Sequence, residues 1–432
     1  MFLSFPLCRA AFAALAIGAG LPVWATGRLT LEDAQRIALA RSQQLVADTA
    51  LASAAREQAV AAGQLPDPVL KFGVNNLPVT GADRFSLTRD FMTMRSVGVM
   101  QEITRRDKLK ARSARFEREA ETAEAARALA LANLRRDTAI AWLDRHYQER
   151  MLELLQSQRA EASLQIAAAD AAYRGGRGAQ ADLFAARSMV AQIDDRILQT
   201  ERQIATARTR LTRWVGAEAE QPLGAPPPMA NVQLNGGNVE TQVAHHPEVA
   251  MMVRQEEVAL ADADIARSNQ HPDWSVELMF NQRGPAYSNM VSVNLSVPLQ
   301  FDRKNRQDRE LAAKLAVVEQ MRARREEAAR EHLAETRAWL LEWQSGRARL
   351  THYDNTLIPL AAERTRATLA AYRGGAGPLA AVLEARRMEI DTRIDRLRLE
   401  METAGRWAQL EYLIAPEHQA SAPERAATST EK

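Results

Sequence analysis

Three methionines lie close together in one polar stretch of the chain. Met92 and Met94 flank a threonine, and Met100 follows shortly after them. Thioether sulfurs are soft ligands that suit Cu(I) and related ions. Methionine also packs well in irregular apolar surroundings, which is the alternative explanation of the same residues. Met92 and Met94 are therefore candidate metal ligands whose competing role is packing.

The histidines and the usual catalytic residues form no recognisable site. His245 and His246 precede Pro247 at a predicted helix start, His271 precedes a predicted strand, and none has a second ligand at a metal-site spacing. We expect them to be polar surface residues. The sequence has no Gly-rich phosphate loop, no His-Glu-x-x-His motif and no serine in a nucleophile-elbow context. We predict a protein that is not an enzyme and needs no cofactor.

The composition favours long helices. Hydrophobic residues make up 46% of the chain but aromatic residues only 5%, and Ala, Leu, Arg, Glu and Gln dominate. The net charge is +2, with acidic and basic residues finely interleaved. Interleaved charges are typical of solvated helix faces, and they give no basic field that would attract nucleic acid.

Residues 1–25 have the pattern of a secretory signal peptide. Arg9 is their only charge, residues 10–24 are almost wholly apolar, and Ala25 is a permissive cleavage position. An uncleaved anchor is the alternative, but a spanning helix needs about 20 apolar residues. The only cysteine, Cys8, lies in this segment, so the mature chain is expected to have none.

The rest of the chain is an internal duplication. A Tyr-Arg-Gly-Gly run begins at Tyr173 and again at Tyr372. Further matching segments keep the same order in both halves: 64–70 with 270–276, 97–103 with 293–299, and 183–187 with 382–386. Conserved order at similar spacing predicts two copies of one structural unit.

Each copy contains a predicted β-hairpin. In the second copy, apolar residues at 274, 276, 278 and 280 and at 291, 293, 295 and 297 alternate with mostly polar ones around a turn-rich loop at 282–288. This predicts a hairpin at about 273–300. The first copy has a weaker version at about 68–103, with a polar loop at 79–92. One apolar and one polar face is also the pattern of membrane-barrel strands.

Helices fill the remainder of each copy. The first copy predicts one helix at about 30–62 and a long helix at 105–172, with a return helix at 179–215. In that return helix, apolar residues at heptad-like spacing predict a coiled-coil seam: Val190, Ile193, Ile197, Ile204, Leu211 and Val215. The second copy predicts helices at 239–268, 303–371 and 378–414, with local irregularities at Gly346 and Pro359.

The predicted domain organisation follows from these elements. Residues 1–25 are the signal peptide, 26–221 the first repeat with its helical hairpin at 105–215, and 222–238 a Pro- and Gly-rich linker. Residues 239–414 are the second repeat with its helical hairpin at 303–414, and 415–432 a disordered tail.

Two hairpins give each chain four strands, too few to close a barrel. Open sheet edges are not tolerated in lipid, so membrane strands would have to be pooled between chains. A closed ring of three chains would pool twelve strands. The predicted fold class is therefore mainly α with membrane β: long coiled-coil hairpins and β-hairpins that trimerise into a 12-stranded β-barrel and an α-helical barrel.

Over residues 28–415 this ordered set resembles the TolC family of outer-membrane efflux proteins. The resemblance rests on the duplicated order, the Leu-Pro-Asp-Pro segment at 65–68 and the two Tyr-Arg-Gly-Gly runs. It implies a homotrimer in the outer-membrane lipid of a Gram-negative bacterium, with a long periplasmic extension. It also implies a passive exit duct that works with a periplasmic adaptor (membrane fusion) protein and an inner-membrane pump of the RND type.

Segment 89–95 is similar to members that accompany heavy-metal pumps, particularly copper pumps. The resemblance therefore implies export of heavy-metal ions such as copper. The alternatives are export of drugs, solvents or proteins by the same kind of channel, or a periplasmic coiled-coil adaptor that never enters the membrane. An adaptor would need no strand hairpins between its helices.

By the same resemblance, the two hairpin tips would contact the adaptor. Glycine permits close backbone approach and positive φ, and arginine supplies forked donors. A plain turn between helices is the alternative. The tip residues are Tyr173, Arg174, Gly175 and Gly176 with Tyr372, Arg373, Gly374 and Gly375.

The resemblance also implies a periplasmic gate formed by Asp182, Tyr372 and Glu384. The match is partial, because Gly377, Pro378 and Ala381 stand where an arginine and an aspartate are expected. A solvated aspartate and a packing tyrosine are the alternative.

Overall fold

The computed structural model describes residues 27–176, 178–232, 234 and 239–413. The predicted signal peptide at 1–25 and the predicted tail at 415–432 lie outside the described residues, as does part of the linker. Within the described ranges, no helix combines the length and the apolar character needed to span a bilayer.

The first repeat opens with two helices where the sequence predicts one. Helix α1 (Leu31–Arg41) is capped by Thr30, whose hydroxyl accepts a 3.1 Å hydrogen bond from the Asp33 N–H. The prediction of a single helix is wrong at Ser42, which has an extended ψ of 106°. The Ser42 hydroxyl accepts from the Leu45 N–H and caps helix α2 (Gln43–Ala62), so a good capping residue divides the run.

A long helical hairpin follows. Helix α3 (Arg106–Arg174) has 69 residues without glycine or proline, which makes it about 100 Å long. Helix α4 (Gln180–Val215) returns along it. Five of the six heptad residues of α4 are buried, and the sixth, Ile197, is partly buried against the same core. The predicted seam is confirmed.

The second repeat has a more interrupted set of helices. These are α5 (Val239–Val243), α6 (Pro247–Ser268), α7 (Gln307–His352), α8 (Ile358–Arg373) and α9 (Leu379–Glu411). A π-turn over Tyr353–Leu357 joins α7 to α8 just before Pro359, which has no N–H to continue the α-helical ladder. The irregularity predicted at Pro359 is confirmed. The one predicted at Gly346 is wrong, because Gly346 lies in regular helix and is buried.

The two repeats meet in one antiparallel sheet of order β1-β2-β3-β4. Its strands are β1 (Val69–Asn75), β2 (Met94–Ile103), β3 (Trp274–Gln282) and β4 (Met290–Ser296). Strand β2 of the first repeat pairs with β3 of the second over nine residues. Strands β1 and β4 are the sheet edges in the described part of the chain.

The main core lies where α3, α4 and α9 meet the linker. Trp142 is fully buried and donates its indole N–H to the Leu29 carbonyl at 3.0 Å. Trp407 donates likewise to the Asn231 carbonyl at 3.1 Å. Leu223 and Leu234 are buried in the same cluster, so these two linker residues are packed against the helices. The fold class is confirmed as mostly helical with two β-hairpins; trimerisation into barrels stays a prediction.

Candidate functional site

One face of the sheet is apolar and open to solvent. The strand register aligns two complete rows across all four strands: Phe72, Val97, Phe280 and Val291, and Leu70, Val99, Leu278 and Val293. All eight side chains are exposed, Phe72 to 82% and Val293 to 70%. A contiguous exposed apolar patch of this kind marks an interaction surface or a membrane contact.

The opposite face of the sheet is polar. Residues of the intervening rows point there because successive side chains of a strand alternate between faces. Lys71 and Glu277 form a 3.1 Å ion pair on this face. Asn281 donates a 2.9 Å hydrogen bond to the Ser292 hydroxyl, and Asn75 donates one of 3.0 Å to Ser96. The sheet therefore separates an apolar side from a side that suits water and ions.

Every methionine in the strands belongs to the polar face. Met94 pairs with Asn75 and Met100 with Val69, which places both in the polar rows. Met279 lies opposite Gly98, and a Cβ on Gly98 would come within 2.6 Å of its Cγ. Met94 was among the candidates from the sequence, whereas Met279 and Met290 were not. Both occupy positions that alternate with the apolar residues of β3 and β4, so this alternation could have placed them on the polar face.

Met92 lies in the loop before β2 and is 46% exposed. Its N–H and that of Thr93 donate to the Asp90 carboxylate at 2.8 and 3.1 Å. This loop contacts the second strand loop, since Arg283 donates to the Phe91 carbonyl at 3.3 Å. Met92 and Met94 are thus separated, one in a loop and one on the polar face.

The two hairpin tips have nearly the same backbone. The N–H groups of Gly175 and Gly374 close the ends of α3 and α8 at 3.0 Å, and the next glycines take positive φ angles of 68° and 75°. Glycine adopts this left-handed conformation without the steric cost that other residues have. Tyr173, Arg174 and Arg373 are exposed beside these turns, and Arg174 also pairs with Asp170 at 2.5 Å.

The two tips pack against each other within one chain. Their shared core contains Ala169, Leu183, Ala186, Leu379, Val382 and Leu383. Tyr372 is half-buried against this cluster, whereas Glu384 is exposed. The Asp182 carboxylate accepts from the Ala179 N–H at 3.3 Å and caps α4. Among the described residues, no hydrogen bond or ion pair joins Asp182 to Tyr372.

Charged links behind the tips connect the two helical hairpins. Arg196 on α4 pairs with Asp391 on α9 at 2.7 Å, and Arg386 on α9 pairs with Glu161 on α3 at 2.7 Å. The hairpins of the two repeats are thus joined by both an apolar core and ion pairs.

The prediction that the histidines are surface residues is wrong for His246. Only 9% of its surface is exposed, and its ring stacks on His332 with centroids 4.1 Å apart. His332 belongs to α7, far along the chain, so no local spacing could have linked the two.

Comparison with known proteins agrees with this architecture. Residues 239–415 match the family described as outer membrane efflux protein. No curated protein matches the chain. A membrane protein from Pseudomonas aeruginosa matches with a TM-score of 0.77 at 16% identity, covering 89% of this chain and 90% of its own.

Two further solved structures have the same fold. CusC, studied for its transmembrane channel formation, matches with a TM-score of 0.74 at 16% identity over 90% of this chain and 92% of its own. The outer membrane protein VceC from Vibrio cholerae matches with a TM-score of 0.72 at 16% identity over 89% and 95%. The fold is thus shared over nine-tenths of the chain, and the second repeat carries the family match. Through residues 239–415 the chain is similar to the outer membrane efflux protein family, and its fold is that of CusC and VceC.

Proposed function

We propose that the chain is the outer-membrane exit duct of a tripartite efflux system and works as a homotrimer. The observation that carries this proposal is the four-stranded sheet with one exposed apolar face and one polar face. In a bilayer, the apolar rows would face lipid and the polar rows would line an aqueous passage.

The open sheet edges support the trimer. Backbone groups in the hydrocarbon layer need partners, so β4 of one chain would pair with β1 of the next. Three chains would then contribute twelve strands to one closed barrel. The helical hairpins, about 100 Å long in α3, would continue this passage into the periplasm.

The hairpin tips are the proposed contact with a periplasmic adaptor, which would connect the duct to an RND-type inner-membrane pump. Their exposed Tyr173, Arg174 and Arg373 support this role. The tips are also the proposed gate. Packing around Tyr372 and ion pairs such as Arg196–Asp391 support a gate that holds the tips of the two repeats together.

The proposed cargo is a soft heavy-metal ion such as Cu(I). Met94, Met100, Met279 and Met290 all lie on the face that would line the passage, and none of the strand methionines lies on the lipid side. A methionine side chain is apolar enough to face lipid, so packing alone does not explain why these methionines lie on the polar face. Their position there favours weak contacts between the thioether sulfurs and an ion that passes through.

Fractionation tests the duct. The expected result is a heat-modifiable trimer in the outer-membrane fraction of cells that express the full chain. A soluble periplasmic monomer would overturn the proposal and favour the adaptor alternative.

Deletion of the gene tests the cargo separately. We expect sensitivity to copper with unchanged sensitivity to drugs and solvents. Sensitivity to drugs alone would reject the metal cargo and leave the duct intact.

A further inference from the structure

His246, Glu248 and His332 form a compact cluster in the helical part of the second repeat. Their nitrogen and carboxylate ligand atoms lie within 4.8 Å of one another. His332 Nε2 is 3.0 Å from Glu248 Oε2, and the two imidazole rings stack. Helix α6 begins between His246 and Glu248, and His332 reaches them from α7.

We propose that this cluster binds a divalent first-row transition ion, with Zn²⁺ as the representative. Two imidazoles and one carboxylate, with water in the fourth position, are an established donor set for tetrahedral Zn²⁺. Imidazole and carboxylate differ from the thioethers of the sheet, which suit softer ions. The site is therefore distinct from the proposed passage and does not depend on its cargo.

The distances require only a small rearrangement. Tetrahedral ligands at zinc distances lie about 3.3 Å apart, and the His332–Glu248 pair is already close to this spacing. His246 would move inward by about 1.5 Å. It would give up its hydrogen bond from the Glu248 N–H, which at 3.3 Å is long and therefore weak.

The surroundings of His246 suit a metal ligand. Its ring is buried, and its Nδ1 accepts a hydrogen bond from the Glu248 N–H, so this nitrogen has a lone pair that a metal could use. The neighbouring Arg136 guanidinium is paired with Asp137 at 2.9 Å, which reduces its repulsion of a cation.

A second carboxylate is placed to orient His332. Glu335 Oε2 lies 3.7 Å from His332 Nδ1, on the nitrogen that faces away from Glu248. With a metal on Nε2, the ring proton resides on Nδ1 and points toward Glu335. Carboxylates in this position fix the ring and strengthen the ligand. A bound ion would tie the start of α6 to α7, alongside the Arg337–Glu240 ion pair between α7 and α5.

Titration of the purified, tag-free full chain with Zn²⁺ by calorimetry tests the site. We expect one ion per chain. His332→Ala should lower the affinity at least 100-fold, and Glu335→Gln about 10- to 100-fold. The matched control is His352→Ala on the same helix, which lies outside the cluster and should bind like the unmodified chain.

Equal zinc affinity in His332→Ala and in the unmodified chain would overturn the proposal. If His332→Ala fails to fold, Glu248→Gln serves in its place, because it keeps the shape of the side chain and weakens the metal bond. Visible absorption of tetrahedral Co²⁺, present in the unmodified chain and lost in Glu248→Gln, should report the same site. A featureless Co²⁺ spectrum in the unmodified chain would also overturn it. These readouts do not require efflux, so failure of the proposed duct would leave them unchanged.

Discussion

Glu389 accepts a 3.0 Å hydrogen bond from Arg393, one turn further along α9, although only 4% of the glutamate is exposed. Its second oxygen accepts from Arg386 at 3.1 Å. Arg386 in turn pairs with Glu161 on α3, so the buried carboxylate holds an arginine that joins the hairpins of the two repeats. The apolar cores behind the tips flank this cluster along α9.

Glu389→Gln should lower the free energy of unfolding by about 1–3 kcal/mol, because it removes the charge that Arg386 and Arg393 share. Chemical denaturation of the purified protein measures this difference. The matched control is Glu384→Gln on the same helix, whose side chain is exposed and whose replacement should change the stability by less than about 0.5 kcal/mol. Equal effects of the two substitutions would contradict the role of Glu389.

The same carboxylate predicts a dependence on pH. Burial alone would raise the pKa of Glu389, but hydrogen bonds from Thr365 and Arg393 and the charges of Arg386 and Arg393 hold it below its ordinary value of 4.5. Its stabilising contribution is therefore present above pH 4.5 and is lost as the pH falls through the lowered folded-state value. In acid, the difference in unfolding free energy between the unmodified chain and Glu389→Gln should shrink.

Gly346→Ala should destabilise the contact between α7 and α9. A Cβ at this position would come within 2.3 Å of Thr403 Oγ1, so a side chain or helix must shift at a cost of about 1–3 kcal/mol. Gly405→Ala is the matched control in α9, because nothing lies near its added Cβ, and helix propensity predicts a gain of up to about 1 kcal/mol.

The clash at Gly346 has its own test. Thr403→Ala removes the hydroxyl, and in the double variant Gly346→Ala with Thr403→Ala we expect most of the loss to disappear. Thermal denaturation of the unmodified chain, the two single variants and the double variant completes this double-mutant cycle. Strictly additive losses would mean that Thr403 is not the obstacle.

Neighbouring residues on β4 should respond oppositely to a charge. Val293→Lys places an ammonium on the apolar face and should cost up to about 2–4 kcal/mol in a bilayer, whereas Ser292→Lys lies on the polar face and should be tolerated. The yield of heat-stable oligomer in the outer-membrane fraction is the measurement. Loss of oligomer in both variants would contradict the assignment of the two faces.

Removal of the tip guanidiniums should weaken adaptor binding without affecting folding. Arg174 is exposed and its ion pair with Asp170 lies within its own helix, and Arg373 is exposed at the second tip. We expect Arg174→Ala with Arg373→Ala to reduce adaptor affinity about tenfold, the loss of one charged hydrogen bond. Arg398→Ala, exposed elsewhere on α9, is the control for a general loss of positive charge.

The periodic elements could be predicted from the sequence for clear physical reasons. Strands with alternating polarity and the heptad seam of α4 are local patterns, and both are present in the structure. The break at Ser42 escaped prediction because a serine can sit inside a helix or cap a new one, and only its hydrogen bond to Leu45 N–H distinguishes the two. Gly346 was misjudged because its close neighbour, Thr403, lies on another helix.

The candidate sites also divide into features that the local sequence predicts and features that it does not. The positive φ angles at Gly176 and Gly375 agree with the turns expected from their sequence. The contact of His246 with His332 depends on how the start of α6 packs on α7 within the second repeat, and the alignment of the β2 methionines with those of β3 depends on how the strands of the two repeats pair. Residue types and local spacing do not contain that information.

The open edges of the sheet affect the solubility of a newly synthesised chain. Strands β1 and β4 present unpaired backbone groups next to an exposed apolar face, the combination that favours uncontrolled strand pairing between molecules. An unassembled monomer is therefore prone to aggregation. How much of it aggregates depends on how quickly it binds other copies of the chain or a chaperone. Because β1 and β4 come from different repeats, chains joined edge to edge would bring unlike repeats together at every junction.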